Sequence, residues 1–565
     1  MSFQVNKIND RLSVATQLNA RELQALKEQG FKTIINNRPD DEETGQPRSA
    51  TLSEDAKQLG LAYFELPVTG ANITDAHVEQ FDNIVENQNG PVLAFCRSGT
   101  RCATLWALSE ADNATTDSIL KQAQQAGYDL SALKPRIDQR REATAANIAY
   151  SVTHDIVIVG GGSAGLATAA SLLKRQAGLD IAIIEPSENN YYQPGWTMVG
   201  GGIFPAEKTR RKTQNVMPRS AKWIRNKVIG FDPDRNAVLL EDGQQVGYKR
   251  LVVAAGLQLD FEKIEGLSET LGKNGVTTNY QYHLAPYTWQ LIRRFKGGTA
   301  IFTQPPMPIK CAGAPQKVMY MAADYWRDNK ILKGTNILFC SSGAVIFGVK
   351  AYVPTLMKYV GKYNIGLNFE ENLVAVDGTS QTAWFERKDE NDKVHRVSRK
   401  FDMLHVTPPQ SAPDFIKMSP LANQEGWVDV DPTTLRHQRY ENIYAVGDCG
   451  SMPNAKTMAA ARKQAPVVAE NLITDRGGKH INAHYDGYGS CPLTVERGKI
   501  ALTEFGYEGK LLPTFPKWLI DGTKPSRLAW WLKVKIMPFV YWSLMLKGRE
   551  WLAKSQVKPD PKTGL

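Results

Sequence analysis

Residues 154–187, HDIVIVGGGSAGLATAASLLKRQAGLDIAIIEPS, decide the fold. An apolar run ends in a glycine-rich turn, a helical run follows, and a second apolar run closes the unit as strand, turn, helix and strand. Gly160, Gly162 and Gly165 stand in G-x-G-x-x-G spacing, with Ser163 and Ala164 opening the helix. Glycines there permit the tight turn and let the backbone approach a pyrophosphate at the helix N-terminus. Glu185 lies twenty residues beyond Gly165 and ends the second strand, where a carboxylate accepts from ribose hydroxyls. A dinucleotide is therefore expected on these residues, against the plainer alternative of a glycine turn with no ligand.

The chain has 565 residues, 42% hydrophobic and 22% charged, enough for three or four globular domains rather than a disordered chain. The formal net charge of +10 is mild for this length and no block of lysine and arginine stands out, so no nucleic-acid partner is expected. Six cysteines are too sparse for a secreted disulfide framework. The N-terminus has no apolar signal region and is poor in arginine for a transit peptide, so a cytosolic start is expected. No residue cluster suggests a metal.

A second clue is NIYAVGDCG, residues 442–450, a strand ending in Gly-Asp before a helix. It resembles the second flavin motif of flavoproteins with two dinucleotide domains, in which the aspartate, here Asp448, binds the ribityl chain. Lys456 and Thr457 then start a helix whose N-terminal dipole faces the flavin's electron-rich edge. The middle strand, TNILFCSSGAVIFG (residues 335–348), lacks a glycine fingerprint. Bulky Val345, Ile346 and Phe347 fill the turn, so nicotinamide binding is expected to be lost.

Further stretches, IKCAGAPQK, MLHVTPPQSAPD, GWVDVD, VGDCGSMPNAKT and YDGYGSCPL, resemble the animal-type branch of the sulfide:quinone oxidoreductases, over about residues 154–550. The resemblance implies an α/β fold with two Rossmann-like domains of the glutathione-reductase type, FAD as cofactor, and oxidation of hydrogen sulfide with reduction of a membrane quinone. It implies a redox disulfide between Cys311 and Cys449. Sulfide opens it, leaving a persulfide on Cys449 and a Cys311 thiolate at the flavin, with Lys310 favouring the thiolate. The sulfur then passes to a small acceptor: sulfite, glutathione or sulfide. Phe347 and Tyr352 are assigned to the quinone. Cys340 is expected in the core, and Cys491 as packing near the quinone end.

The N-terminal stretch 93–102, LAFCRSGTRC, ends an apolar run in Cys96 and turns at Gly99 before Arg101. A thiolate in a loop of N–H groups closed by arginine traps an anion. The spacing is C-x4-R, one residue shorter than the loop of tyrosine phosphatases, and matches the C-R-x-G-x-R loops of rhodanese-type sulfurtransferases. The scaffold before it, LNARELQALKEQGFKTIINNRPDDEE, resembles a dual-specificity phosphatase in which Asp40 or Asp41 carries the general acid. Sulfur handling through Cys96 and Arg101 is preferred to phosphate, and Cys102 is either a resolving thiol or an ordinary helix residue.

Residues 515–552 interleave Trp, Phe and Leu with Lys533, Lys535, Lys547 and Arg549. The longest charge-free run, IMPFVYWSLML, has eleven residues, too short to span a bilayer, so an amphipathic helix pair on the membrane surface is expected. The expected organisation is 1–145, a phosphatase-like sulfurtransferase domain; 150–260, the first part of the FAD domain; 261–405, a second Rossmann-like domain; 406–485, the return of the FAD domain; and 486–565, a quinone and membrane region. The location expected is the cytoplasmic face of a bacterial inner membrane, as a peripheral protein, with a homo-oligomer left open. The rivals are a type II NADH:quinone dehydrogenase, which needs an intact nicotinamide turn, and a membrane-associated phosphatase with a flavin sensor.

Overall fold

The structure is a computed structural model that describes residues 5–70, 72–88, 90–145, 152–389 and 392–557. The boundary expected between 145 and 150 and the last eight residues fall outside these. The chain divides into two units, the first comprising Met1–Val152 with Ile229–Val246 and Met418–Pro420, the second the remainder.

The first unit holds a five-stranded sheet in the order Val5–Lys7, Leu12–Ala15, Val92–Phe95, Thr33–Asn36, Ala62–Glu65. Only the edge strand Val5–Lys7 is antiparallel to its neighbour. The three central strands are buried at every position, as a parallel sheet covered on both faces requires. Helix Ala20–Glu28 starts on a capping box between Asn19 and Glu22, which satisfies its first free N–H groups. The central strand Val92–Phe95 ends at Cys96, and helix Thr100–Ser109 starts four residues later. This puts the loop at the carboxyl ends of the parallel strands, where open α/β sheets bind ligands.

In the second unit the strand Val152–Val159 pairs in parallel with Ile181–Ile184, which pairs in parallel with Ala221–Ile224. Strand Ile443–Ala445, which leads to Asp448, lies parallel to Gln245–Val253. A second sheet runs Val276–Thr277, Met403–His405, Gly298–Gln304, Thr335–Ser341, Ile365–Phe369, parallel throughout. Ile346 and Phe347, after strand Thr335–Ser341, are buried in the core. The hairpin Gly489–Glu496/Lys499–Phe505 packs Leu493 and Val495 into that same core.

The C-terminal segment is one helical run over 527–547, broken by two π-helical turns around Pro538, and not a helix pair. A proline withholds its N–H from the ladder, and the shifted bonding accommodates it. Among the described residues no helix is long and apolar enough to cross a membrane. The run is partly inside the fold: the Tyr541 hydroxyl is 3.0 Å from Ser163 Oγ and donates to Asn190 Oδ1 at 2.9 Å. Glu550 pairs with Arg175 and accepts from Ser171 Oγ at 2.6 Å. The segment therefore braces the glycine turn from outside, and removing it would strip the turn of support. Tyr541→Phe deletes the hydroxyl contacts with Ser163, Asn190 and the Tyr191 carbonyl at a fully buried position and should cost about 1–3 kcal/mol. A lower melting temperature together with weaker flavin retention on gel filtration checks this.

Candidate functional site

One cavity of about 410 Å³ in the second unit is lined by Gly160, Gly162, Ser163, Ala164, Glu185, Asp448 and Thr457, uniting both dinucleotide motifs. Gly160 has φ 103°, and a Cβ there would lie 2.5 Å from Ala254 O. Gly165 supports the turn from behind, since a Cβ on it would lie 1.9 Å from Gly160 O. Glu185 accepts from the N–H of Gly161 and of Ser187, both at 2.8 Å, and burial raises its pKa. Thr457 caps helix Met458–Arg476 through Ala460 N at 3.2 Å. Among the described residues, Asn279, Tyr192 and Trp196 line this cavity, and both amide atoms of Asn279, the Tyr192 hydroxyl and the Trp196 indole N–H are buried without a hydrogen-bond partner. The glycine cradle and Asp448 open onto one cavity, which fits a dinucleotide whose pyrophosphate lies on the glycine turn.

Lys456 does not face this cavity. Its ammonium donates to the carbonyls of Asp448 and Gly450 at 2.8 and 2.9 Å and lies 3.9 Å over the Trp427 ring. It holds the Asp448 loop in place. Phe347 and Tyr352 do not line the cavity either: they pack edge to face in the core, and the Tyr352 hydroxyl is bonded to the Glu504 backbone.

The expected Cys311–Cys449 pair does not form. Cys311 Sγ is 3.1 Å from Cys491 Sγ, while Cys449 Sγ is turned onto the carbonyl of Val253 at 3.3 Å. Cys449 is fully buried, and its thiol is pushed up to about 11 by that burial. Cys340 is likewise a core thiol, pushed up to about 12 by burial. Cys311 lines the cavity and holds a left-handed backbone at φ 53°, a conformation that costs a non-glycine residue about 1–3 kcal/mol. Its N–H donates to Lys456 O at 2.9 Å, which ties it to the second flavin motif. Gly313 admits its partner, because a Cβ there would lie 2.6 Å from Cys491 Sγ.

The neighbouring cations also differ from expectation. Lys310 points to Gln193, between the rings of Trp196 and Tyr280. Lys317, in the first turn of helix Ala314–Asp328, donates to Cys311 Sγ at 3.0 Å. The Cys491 thiol and Lys317 hold the Cys311 thiol well below its usual range, and Cys491 is correspondingly raised. Lys533, assigned from sequence to the headgroup region, is buried in the cavity wall, and burial brings its ammonium down to about 7. Cys491, Lys317 and Lys533 are the site residues that sequence reasoning missed. YDGYGSCPL was the available signal for Cys491, since a cysteine in a shared motif is as good a partner as one beside an aspartate.

In the first unit, Gly99 has φ 84°, and its N–H donates to Cys96 Sγ at 3.2 Å. A Cβ at Gly99 would lie 2.2 Å from the Tyr128 hydroxyl. The Cys102 thiol, followed by the N–H groups of Ser98, Cys102 and Arg101, pulls Cys96 down to about 6 against its burial. Cys102 itself is raised by complete burial. Arg101 acts through its backbone here. Its guanidinium is on Val68 O and Glu42 Oε2, both at 2.8 Å, and does not close over the thiolate as expected. Asp40 caps helix Ser49–Gln58 through Ser49 N at 2.8 Å, and Asp41 pairs with exposed Arg48, so neither carboxylate is set out as a general acid.

Residues 4–113 match the family described as "Beta-lactamase hydrolase-like protein, phosphatase-like domain", and residues 154–287 match "Pyridine nucleotide-disulphide oxidoreductase". The mitochondrial sulfide:quinone oxidoreductase of Dictyostelium discoideum is 42% identical over 413 residues, 72% of this chain and 89% of that protein. The mitochondrial sulfide:quinone oxidoreductase of Mus musculus is 38% identical over 395 residues, 70% of this chain and 87% of that protein. The crystal structure of sulfide:quinone oxidoreductase from Aquifex aeolicus superposes with a TM-score of 0.60 at 19% identity, over 70% of this chain and 92% of that one, and shows the same fold. The placement at a bacterial inner membrane is thereby overturned: these eukaryotic relatives are mitochondrial proteins.

The Cys96 geometry fixes a pH profile. A thiol at about 6 is mostly thiolate at neutral pH, so the iodoacetamide rate at Cys96 should rise with a midpoint near 6 and level off above it. Cys102→Ala removes the largest stabilising contact, and its midpoint should move up toward the ordinary thiol range. Peptide-resolved alkylation across pH measures both.

Proposed function

Because this chain belongs to the sulfide:quinone oxidoreductase family, we propose that it oxidises sulfide at a Cys311–Cys491 disulfide in the wall of its flavin cavity. FAD is its cofactor, and when bound it takes up two electrons and passes them to quinone. Gly160, Gly162, Ser163 and Ala164 would hold the pyrophosphate, Glu185 the adenosine ribose and Asp448 the ribityl chain.

The observation that carries the reading is the 3.1 Å separation of the two sulfurs beside Lys317. A disulfide needs about 2.05 Å, a small closure from this distance. Hydrosulfide attacks one sulfur, a new S–S bond forms as the old one breaks, and the other sulfur leaves as a thiolate. The sulfur with the lower thiol pKa leaves faster. Lys317 makes that one Cys311, so the persulfide is assigned to Cys491 and the thiolate to Cys311, which lines the cavity. Lys533, with its ammonium near 7, can hold or release a proton in the same wall at neutral pH.

Quinone would enter where the cavity wall becomes apolar, at Leu502, Phe515, Leu532 and Trp551. Nearby, Trp518, Trp531, Phe539 and Leu552 are exposed, with Trp518 at 84%, which supports a membrane-facing surface. For the first unit the proposal is sulfur transfer through Cys96. Its thiolate attacks the terminal sulfur of a persulfide RSSH, the S–S bond of the donor breaks, RS⁻ leaves, and Cys96 carries the persulfide to a small thiol acceptor such as glutathione or to sulfide. The depressed thiol and the short C-x4-R loop support it.

The deciding test uses three serine variants under anaerobic conditions. Cys311→Ser and Cys491→Ser should keep FAD but lose sulfide-dependent flavin bleaching and quinone reduction by about a hundredfold or more. Cys449→Ser should retain both, and a Cys449 variant as dead as the other two would overturn the pairing. A Trp518→Ser/Trp531→Ser/Phe539→Ser triple variant should bind vesicles less in a flotation assay while its flavin still bleaches with sulfide. Aryl phosphate turnover that vanishes in Cys96→Ser, with no sulfur uptake, would replace the sulfurtransferase reading by a phosphatase.

A further inference from the structure

We propose that Glu42 is a built-in counter-anion that closes the Cys96 site to oxyanions such as phosphate and thiosulfate and leaves it open to thiol persulfides. The inference rests on the persulfide reading of Cys96 and names the donor class for it.

In a loop that traps an oxyanion, the closing arginine grips its ligand with two parallel N–H groups. Here each terminal nitrogen of Arg101 already donates one N–H, one to Val68 O and the other to Glu42 Oε2, each at 2.8 Å, so an oxyanion has to share the guanidinium with a carboxylate. The same Glu42 oxygen accepts from Arg38 Nε at 2.9 Å. Arg38 is buried and held on its other nitrogens by Gln17 Oε1 at 2.9 Å and Glu43 Oε2 at 2.8 Å. Glu43 in turn pairs with Arg97, the residue after Cys96, at 2.7 Å. Arg38, Arg97 and Arg101 thus meet Glu42 and Glu43, and the Cys96 thiolate brings the cluster to neutrality.

An entering dianion has to sit beside a carboxylate held by two guanidiniums and beside a thiolate, with no net positive charge to offset it. A persulfide donor has no such requirement. It brings a terminal sulfur with at most one negative charge, and the N–H groups around Cys96 receive it without Arg101. Glu42 is also kept ionised by Arg101 and Arg38, so it has no proton to give a leaving group, which again separates this site from a phosphatase.

The test uses the full-length holoprotein with Cys491→Ser, so that Cys96 is followed without turnover at the flavin. Peptide mass spectrometry reads two quantities: protection of Cys96 from iodoacetamide by inorganic phosphate, and sulfur gained by Cys96 from glutathione persulfide or thiosulfate. With Glu42 present, phosphate should leave the alkylation rate unchanged and only glutathione persulfide should load Cys96. Glu42→Gln should lower the phosphate concentration for half-protection by about tenfold and admit thiosulfate as a donor, leaving persulfide uptake unchanged. Glu42→Asp keeps the charge and should behave as the parent, which also shows that the loop survives substitution. Phosphate protection of equal strength with and without Glu42, or thiosulfate loading both alike, overturns the assignment. If Cys96 takes sulfur from neither donor while phosphate protection still depends on Glu42, the counter-anion stands and the persulfide reading fails.

Discussion

The close approach of Gly165 to Gly160 is the constraint on which the flavin half depends. A single Cβ at 165 would sit 1.9 Å from the Gly160 carbonyl, so helix Ser163–Arg175 can reach its position over the sheet only with glycine there. Once it does, Gly161 presents its N–H to Glu185, and Ser163 comes within 3.0 Å of the Tyr541 hydroxyl. Helix Met458–Arg476, which starts at Thr457 in the second motif, packs along the same helix. The two flavin motifs and the C-terminal segment thus meet on one backbone contact. It also explains why the tail is more than an anchor: Lys533 and Trp551 are part of the cavity wall.

Cysteine chemistry in this chain is a matter of neighbours. Cys340 and Cys449 are buried, and burial is the largest influence on both, keeping them protonated at about 12 and about 11. Cys96 is also buried, yet the Cys102 thiol and loop N–H groups outweigh the desolvation and bring it to about 6. Cys311 is lowered by Cys491 and Lys317 in the same way. Where desolvation outweighs the donors the thiol stays protonated, and where the donors aimed at the sulfur outweigh desolvation it becomes a thiolate. Each unit contains one such thiolate with a second thiol beside it, although their folds are unrelated.

The sequence by itself determined what rests on local rules. Glycine spacing with a carboxylate twenty residues on marks a dinucleotide fold because the turn, the helix start and the strand end lie within one short unit. The parallel strands of the first unit follow from apolar runs, and the C-x4-R loop follows from its own spacing. These features need no distant partner, and the structure has them where the residues said. The likeness to known sulfide:quinone oxidoreductases was also legible, because it lies in contiguous motifs.

Tertiary structure alone decided which distant side chains meet. Cys311 and Cys491 are 180 residues apart, and nothing in either neighbourhood says that the hairpin Gly489–Glu496/Lys499–Phe505 folds against the loop before helix Ala314–Asp328. Cys449 looked better placed because it adjoins Asp448, but successive side chains at a strand end diverge, and its sulfur turns into the core. Lys533 looked like a surface lysine because a basic residue among tryptophans has the pattern of an amphipathic helix. The helix is amphipathic the other way round at that position, since its polar contact is the buried cavity. Likewise Arg101 was correctly located but wrongly aimed: its guanidinium direction depends on Glu42, 59 residues earlier in the chain. Local sequence sets backbone conformation, whereas the direction of a long side chain is set by the charge it finds in space.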